Sequence, residues 1–220
     1  MYSNLRLLDS INRPEALIKT SKELGLSGLA ITDHEALCAH MTVNKLAKAM
    51  RETDPDFTIA LGNEIYLTET REPKQKYYHF ILIAKDNDGY TQLKKLSSLA
   101  WTNIYEYGRL ERVPTLKEDL KRIIKENPGH VIATSACIGG ELSSNALLMA
   151  KARAVGDNQN AKIYYDNINN FLNYCLDIFG SDFYIECAPS TDEEQILVNQ
   201  TLYKISKALG IPMVIGTDAH

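Results

Sequence analysis

Apolar residues in this chain come in short runs separated by longer stretches with helical spacing. GLAIT (28–32), FTIAL (57–61), HVIATSAC (130–137), FYIEC (183–187) and PMVIGT (212–217) read as strands. Residues 64–85 hold two further strand-like segments around a charged, proline-containing turn, which predicts a hairpin. Helical spacing covers residues 14–24, 34–50, 86–101, 115–129, 141–153, 158–179 and 192–209. Asn12 is placed to cap the first helix, with Pro14 in its first turn and Gly25 after its end. Strands that are apolar throughout, alternating with helices, predict a parallel sheet covered on its outer face. That leaves an open doubly wound sheet or a closed barrel. The sequence has no internal repeat, low-complexity segment, linker, G-x-G-x-x-G or Walker loop, so the usual kinds of nucleotide binding have no support.

Composition narrows the class. At 220 residues the chain suits one large domain or two small ones, and an α/β barrel of that size is ordinary. With 45% hydrophobic and 24% charged residues it is a soluble globular sequence. A net charge of −4 argues against a strongly basic module that coats nucleic acid, although a local basic face is compatible with it. The apolar runs are too short to span a bilayer, and Arg6, Asp9 and Arg13 interrupt any signal-peptide core. Cys38, Cys137, Cys175 and Cys187 form no C-x-x-C pair, which excludes a zinc ribbon and makes a reduced, cytoplasmic setting the default.

The chemistry lies where the apolar runs stop. GLAIT is followed by Asp33 and His34, FTIAL by Gly62-Asn63-Glu64, HVIATSA by Cys137, and PMVIGT by Asp218 and His220. One Asp-His pair after a strand is more often a cap than a ligand pair. Four strands ending in metal-ligand residue types, at the functional end of a parallel α/β sheet, favour a metal site. His79 begins its run instead of ending it. In an antiparallel return strand it would still lie beside Glu64. His34-Glu35-Ala36-Leu37-Cys38 has Cys where the zincin H-E-x-x-H has its second His, so a zinc peptidase is not expected. Cys38 and His40 are expected to pack on their helix, Cys175 and Cys187 in the core, and His130 at the opposite end in a structural role.

The stretches YSNLRLLDS (2–10), LAITDHEALCAH (29–40), LGNEIYL (61–67), YYHFILIAKDNDGYTQLKKLSSLAW (77–101), VIATSACIGGEL (131–142), FYIEC (183–187) and VIGTDAH (214–220) together resemble the PHP (polymerase and histidinol phosphatase) family. Within it they look most like the N-terminal domain of bacterial replicative DNA polymerase III α subunits, to which the 77–101 segment is particular. The resemblance covers the whole chain in order. It implies a distorted (β/α)7 TIM-like barrel with up to three divalent metal ions, zinc or manganese, at one face. By position, Glu64, His79 and Cys137 resemble the ligands of one ion, with Glu64 as a bridge. Asp9, His34 and His220 resemble those of another, and Asp218 a ligand of the third. Asp33 lies next to the cluster and, with Glu64, is expected to be catalytic. The family opens with an H-x-H strand that this sequence lacks, so the first strand is expected to be missing or truncated and fewer ions to bind. Ending on its ligands, the chain looks like a single domain, 1–220, cut from a longer polymerase.

The chemistry the resemblance implies is metal-assisted phosphodiester hydrolysis, as in 3′→5′ exonucleolytic proofreading. The expected partners are DNA at the primer 3′ end, the remaining polymerase domains and replisome subunits. The alternatives are a catalytically inactive scaffold domain of the polymerase and a stand-alone PHP phosphatase.

Overall fold

The computed structural model describes residues 10–72, 75–107 and 110–219. In chain order the elements are α1 (Pro14–Glu23), β1 (Gly28–Ile31), α2 (His40–Thr53), β2 (Thr58–Thr68), β3 (Tyr78–Ala84), α3 (Asn87–Trp101), β4 (Tyr105–Tyr107), β5 (Leu110–Arg112), β6 (Pro114–Leu116) and α4 (Lys117–Glu126). There follow β7 (Val131–Thr134), α5 (Glu141–Ala154), α6 (Asn158–Phe179), β8 (Phe183–Cys187), α7 (Glu193–Leu209) and β9 (Met213–Ile215). No described helix is long and apolar enough to cross a membrane.

The main sheet runs β1-β2-β3-β7-β8-β9, with β6 also paired to β2. The expected hairpin is present: β3 is antiparallel to β2. It is antiparallel to β7 as well, so the sheet is mixed, while β1/β2, β7/β8 and β8/β9 are parallel. The sheet curls, its helices cover the outer face, and a cavity of about 630 Å³ lies inside the curl. This is the distorted TIM-like architecture that the family resemblance implies. Among the described residues β1 and β9 are the sheet's two edges.

Several boundaries move for local reasons. The helix expected from residue 34 starts at His40, because Glu35 adopts a left-handed φ of 56° that breaks any helix there. FTIAL and EIYLT are one strand of 11 residues, so Glu64 sits inside β2 and not after it. The fourth predicted helix loses its start to β6, which pairs with the far end of β2. Arg13, not Asn12, occupies the first helix's cap position, and no side chain caps it. Other helices do have polar caps: Asp86 accepts from the Asp88 and Gly89 amides, and Asp192 from Gln195. Cys175 is core as expected, Cys187 is only half-buried, and Cys38 is exposed in the turn before α2. His130 lies at the opposite end, its Nδ1 2.7 Å from Asp86.

The main core lies between the outer face of the sheet and α3–α7. At its centre Phe80 meets Phe171 edge-on at 6.0 Å and Phe183 in a stacked arrangement at 6.5 Å. A smaller cluster of Ile18, Leu29, Ile31, Val43 and Phe57 seats α1 and α2 on β1. Alternation along the strands separates the two faces. Ile31 packs with the helices, whereas Ala30 and Thr32 line the interior cavity. Phe80→Ala is expected to cost about 3–5 kcal/mol, because a fully buried ring leaves a cavity that neighbours on three elements cannot all fill. Equilibrium unfolding in urea, with far-UV circular dichroism as the signal, measures it.

Candidate metal centre

Sheet register brings the site together. His34 continues β1 by one isolated bridge opposite Glu64. On the other side of β2, Glu64 pairs with Ile81 and Tyr66 with His79. Side chains paired across a sheet share a face, and so do residues two apart on one strand. His34, Glu64 and His79 are therefore delivered to one side. Their ligand atoms all lie within 4.8 Å of one another. Glu64 Oε1 is 2.6 Å from His79 Nδ1 and 3.7 Å from His34 Nδ1. Cys137 enters from the end of β7, its Sγ 3.5 Å from His79 Nδ1. Two imidazoles, a carboxylate and a thiol form a donor set that suits a divalent ion.

Each loop that carries a ligand is pinned by backbone contacts. The Asp33 carbonyl accepts from the Glu64 amide at 3.1 Å, and the Glu64 carbonyl from the Glu35 amide at 2.7 Å. Asn63 donates to the carbonyls of Asp33 and Ala36. Trp101, the last residue of α3, donates from its indole to the Glu35 carbonyl at 2.7 Å. The loop after β7 is tied to β3, since the His79 amide donates to Gly139 O at 3.1 Å. Gly139 itself lies so close to the His79 ring that an added Cβ would sit 3.1 Å from it.

The electrostatics follow from burial. Glu64 has no solvent exposure. Desolvation pushes its carboxyl group above the usual range, while the His79 hydrogen bond and charge pull it back and Asp218 adds repulsion. Burial works against a charge on His79, but its hydrogen bonds to Cys137 and Glu64, with their charges, outweigh it and push the imidazole up to about 10. The pair therefore keeps a proton on His79 at neutral pH.

Not every expected residue joins the group. Asp33 is fully buried, but on strand alternation it falls on the helix side with Leu29 and Ile31, where its charge acts on His40. Burial lowers the pKa of His40, and its Nε2 is 2.8 Å from Gly62 O. Asp218 lies on the exposed loop after β9 and lines the central cavity. Asp9 and His220 lie outside the described residues. One interior residue escaped the sequence reading. Glu186 in β8 is buried, accepts from Thr134 Oγ1 at 2.5 Å, and faces the same cavity. Burial raises its pKa, the Thr134 donor opposes the rise, and the charges of Glu64 and Asp218 add to it. The signal was a single charged residue inside the otherwise apolar run FYIEC.

The raised pKa of His79 has a definite sign. Its pairing with Glu64 stabilises the metal-free fold fully below the ordinary imidazole value of 6.5, and that contribution is lost as the pH rises through about 10. In NMR titration of metal-free protein, the His79 ring protons are expected to stay at their imidazolium shifts through pH 8. A midpoint near 6.5 would contradict the pairing.

The PHP domain family model matches residues 1–190. The DNA-directed DNA polymerase of Bacillus phage SPbeta is 40% identical over 230 residues, covering 99% of this chain and 18% of the polymerase. The DNA polymerase III subunit alpha of Borreliella burgdorferi is 30% identical over 227 residues, covering 100% of this chain and 17% of that protein. The chain thus spans less than a fifth of the length of these curated relatives. Among solved structures, one from Bifidobacterium adolescentis, assigned to the metal-dependent phosphoesterases, superposes with a TM-score of 0.51 at 13% identity. That superposition covers 100% of this chain and 85% of the other, a likeness of fold. With the family pattern running through most of its length, the chain belongs to the PHP domain family.

Proposed function

We propose that this chain is the metal-dependent phosphoesterase domain of a DNA polymerase, and that its substrate is the phosphodiester at a DNA 3′ end. The observation that carries the reading is the convergence of His34, Glu64 and His79, with Cys137 beside them, on one side of the curled sheet. The polymerase relatives support DNA as the substrate. When bound, a divalent ion would supply charge neutralisation for phosphate oxygens and acidify a water. His79, Glu64 and Cys137 would hold one such ion, and the nitrogen and sulfur donors favour zinc. His34 would hold another together with Asp9 and His220, and Asp218 would serve a third; zinc and manganese are the ions the family resemblance implies.

The chain's own residues have distinct parts. Glu64 is placed to join two positions, since His34 and His79 flank the same carboxylate oxygen. His79 must give up its proton before Nδ1 can act as a ligand, and the charges of Glu64 and Cys137 both oppose that loss. Asp33 contributes by holding Asn63 and the Glu64 amide through its carbonyl, which fixes where the Glu64 carboxylate points. The test is digestion of a 3′-labelled mismatched primer with added manganese or zinc. Glu64→Gln and His79→Ala should each slow digestion by about a hundredfold or more, the scale seen when one stabilising group is removed from a catalytic site. Digestion that survives both substitutions would sink the assignment.

A second reading is a polymerase scaffold that does no chemistry. It is favoured by the 2.6 Å contact of His79 with Glu64, which gives the buried carboxylate a cationic neighbour without an ion. If that reading is right, chelator leaves the melting temperature unchanged and no added metal produces digestion.

A further inference from the structure

Glu186 stands at the junction of two loops that the site depends on. Its carboxylate accepts from Thr134 Oγ1, and that hydroxyl oxygen in turn accepts from the Ala136 amide at 3.4 Å. The Glu186 amide donates to Ser135 Oγ at 2.9 Å, and the Ser135 amide returns to Tyr184 O at 3.1 Å. Both residues after Val131–Ala133 are thus latched to β8 immediately before the chain turns. The turn is made by Ala136 at φ 57°, a left-handed conformation that costs an alanine energy and needs outside support. The next residue is Cys137. On its other side the same carboxylate lies against Gly216, where any Cβ would collide with it. Gly216 precedes Asp218 by two residues, and Asp218 also has a left-handed φ, of 45°.

We infer that Glu186 is a positioning residue of the metal centre, whose carboxylate latches the Cys137 loop through Thr134 and seats the Asp218 loop through Gly216. This rests on the proposed metal-binding reading and adds a residue that holds ligands without being one. A glutamate inside an apolar strand would otherwise be a cost, because a buried carboxylate is tolerated only where its hydrogen bonds are made. Here its hydrogen-bond partner is a hydroxyl from β7, and the missing side chain of Gly216 leaves the carboxylate its room. From the Glu186 carboxylate, the link toward Cys137 runs through the Thr134 hydroxyl to the Ala136 amide.

The experiment uses cobalt(II) as the probe on the whole chain, because a thiolate bound to cobalt gives a charge-transfer absorption that reports Cys137 directly. Cys137→Ser defines the loss of that band. Glu186→Ala and Thr134→Val are each expected to weaken cobalt binding about tenfold or more, the usual effect of removing a group that orients a ligand, and to lose most of the band. Glu186→Gln still offers an oxygen to Thr134 and should keep it. Far-UV circular dichroism checks folding. Should Glu186→Ala not fold, Thr134→Val, which keeps the side-chain shape, decides by the same criterion. Full band and unchanged affinity in folded Thr134→Val would overturn the latch, and so would loss of the band in Glu186→Gln. If the parent chain itself binds cobalt without the band, the metal-centre reading fails, and this inference with it.

Discussion

A carboxylate with no solvent exposure, Glu64, sits in the middle of an 11-residue strand. Left alone there it would cost several kcal/mol or give up its charge. The surrounding structure answers that demand from both flanking strands at once. His34 arrives from the extension of β1 and His79 from β3, each set by strand register. The Glu64 backbone is used as well, its amide and carbonyl bonding the Asp33 carbonyl and the Glu35 amide. Register, hairpin and the extension of β1 all have to be right for one buried charge to be tolerated. Shifting β3 by a single residue would turn His79 to the helix side and leave Glu64 without its nearest cation.

The functional end also stores backbone strain. Glu35, Ala136 and Asp218 are the described non-glycine residues with positive φ. One follows His34, one precedes Cys137, and the third is itself an expected ligand. Each such residue costs about 1–3 kcal/mol and persists only where its surroundings over-determine it. Trp101 supplies that support at Glu35, and Thr134 at Ala136. The stability that tolerates this strain comes from the other face of the sheet, where Phe80, Phe171 and Phe183 centre the core. The two faces differ: one is packed by helices, the other opens on a cavity whose mostly aliphatic lining carries Thr32, Thr134, Glu186 and Asp218.

Without an ion, the ligands are neither repelled nor idle. The proton on His79 lets two strands meet at a point where carboxylate, imidazole and thiol would otherwise compete for space and charge. On the proposed reading a proton and a divalent ion would be alternative occupants of the same lone pair, and metal loading and protonation would be linked through His79. That would tie folding to the proposed chemistry, since the group that pairs with Glu64 in the metal-free state is the group an ion would need.

Much of this was legible in the sequence. Helical spacing at 158–179 and the strand FYIEC matched the structure residue for residue, because long periodic patterns and short apolar runs bounded by polar residues are local signals. The pairing of His79 with Glu64 was also accessible, since a hairpin's geometry follows from its turn and its two flanking runs. Tertiary structure decided the rest. The helix start at His40 depended on Glu35 adopting a left-handed turn, held from outside by Trp101 some 66 residues away. Whether Asp33 or His34 faces the cavity depended on strand alternation relative to a sheet whose inner side only folding defines. Glu186 gave one anomalous charge in an apolar run, and its meaning came from Thr134 and Gly216, which are brought to it by β7 and β9. A sequence specifies residue types and periods locally. Which side chains share a face, and which buried charge finds a partner, is fixed only when strands distant in the chain take up their register.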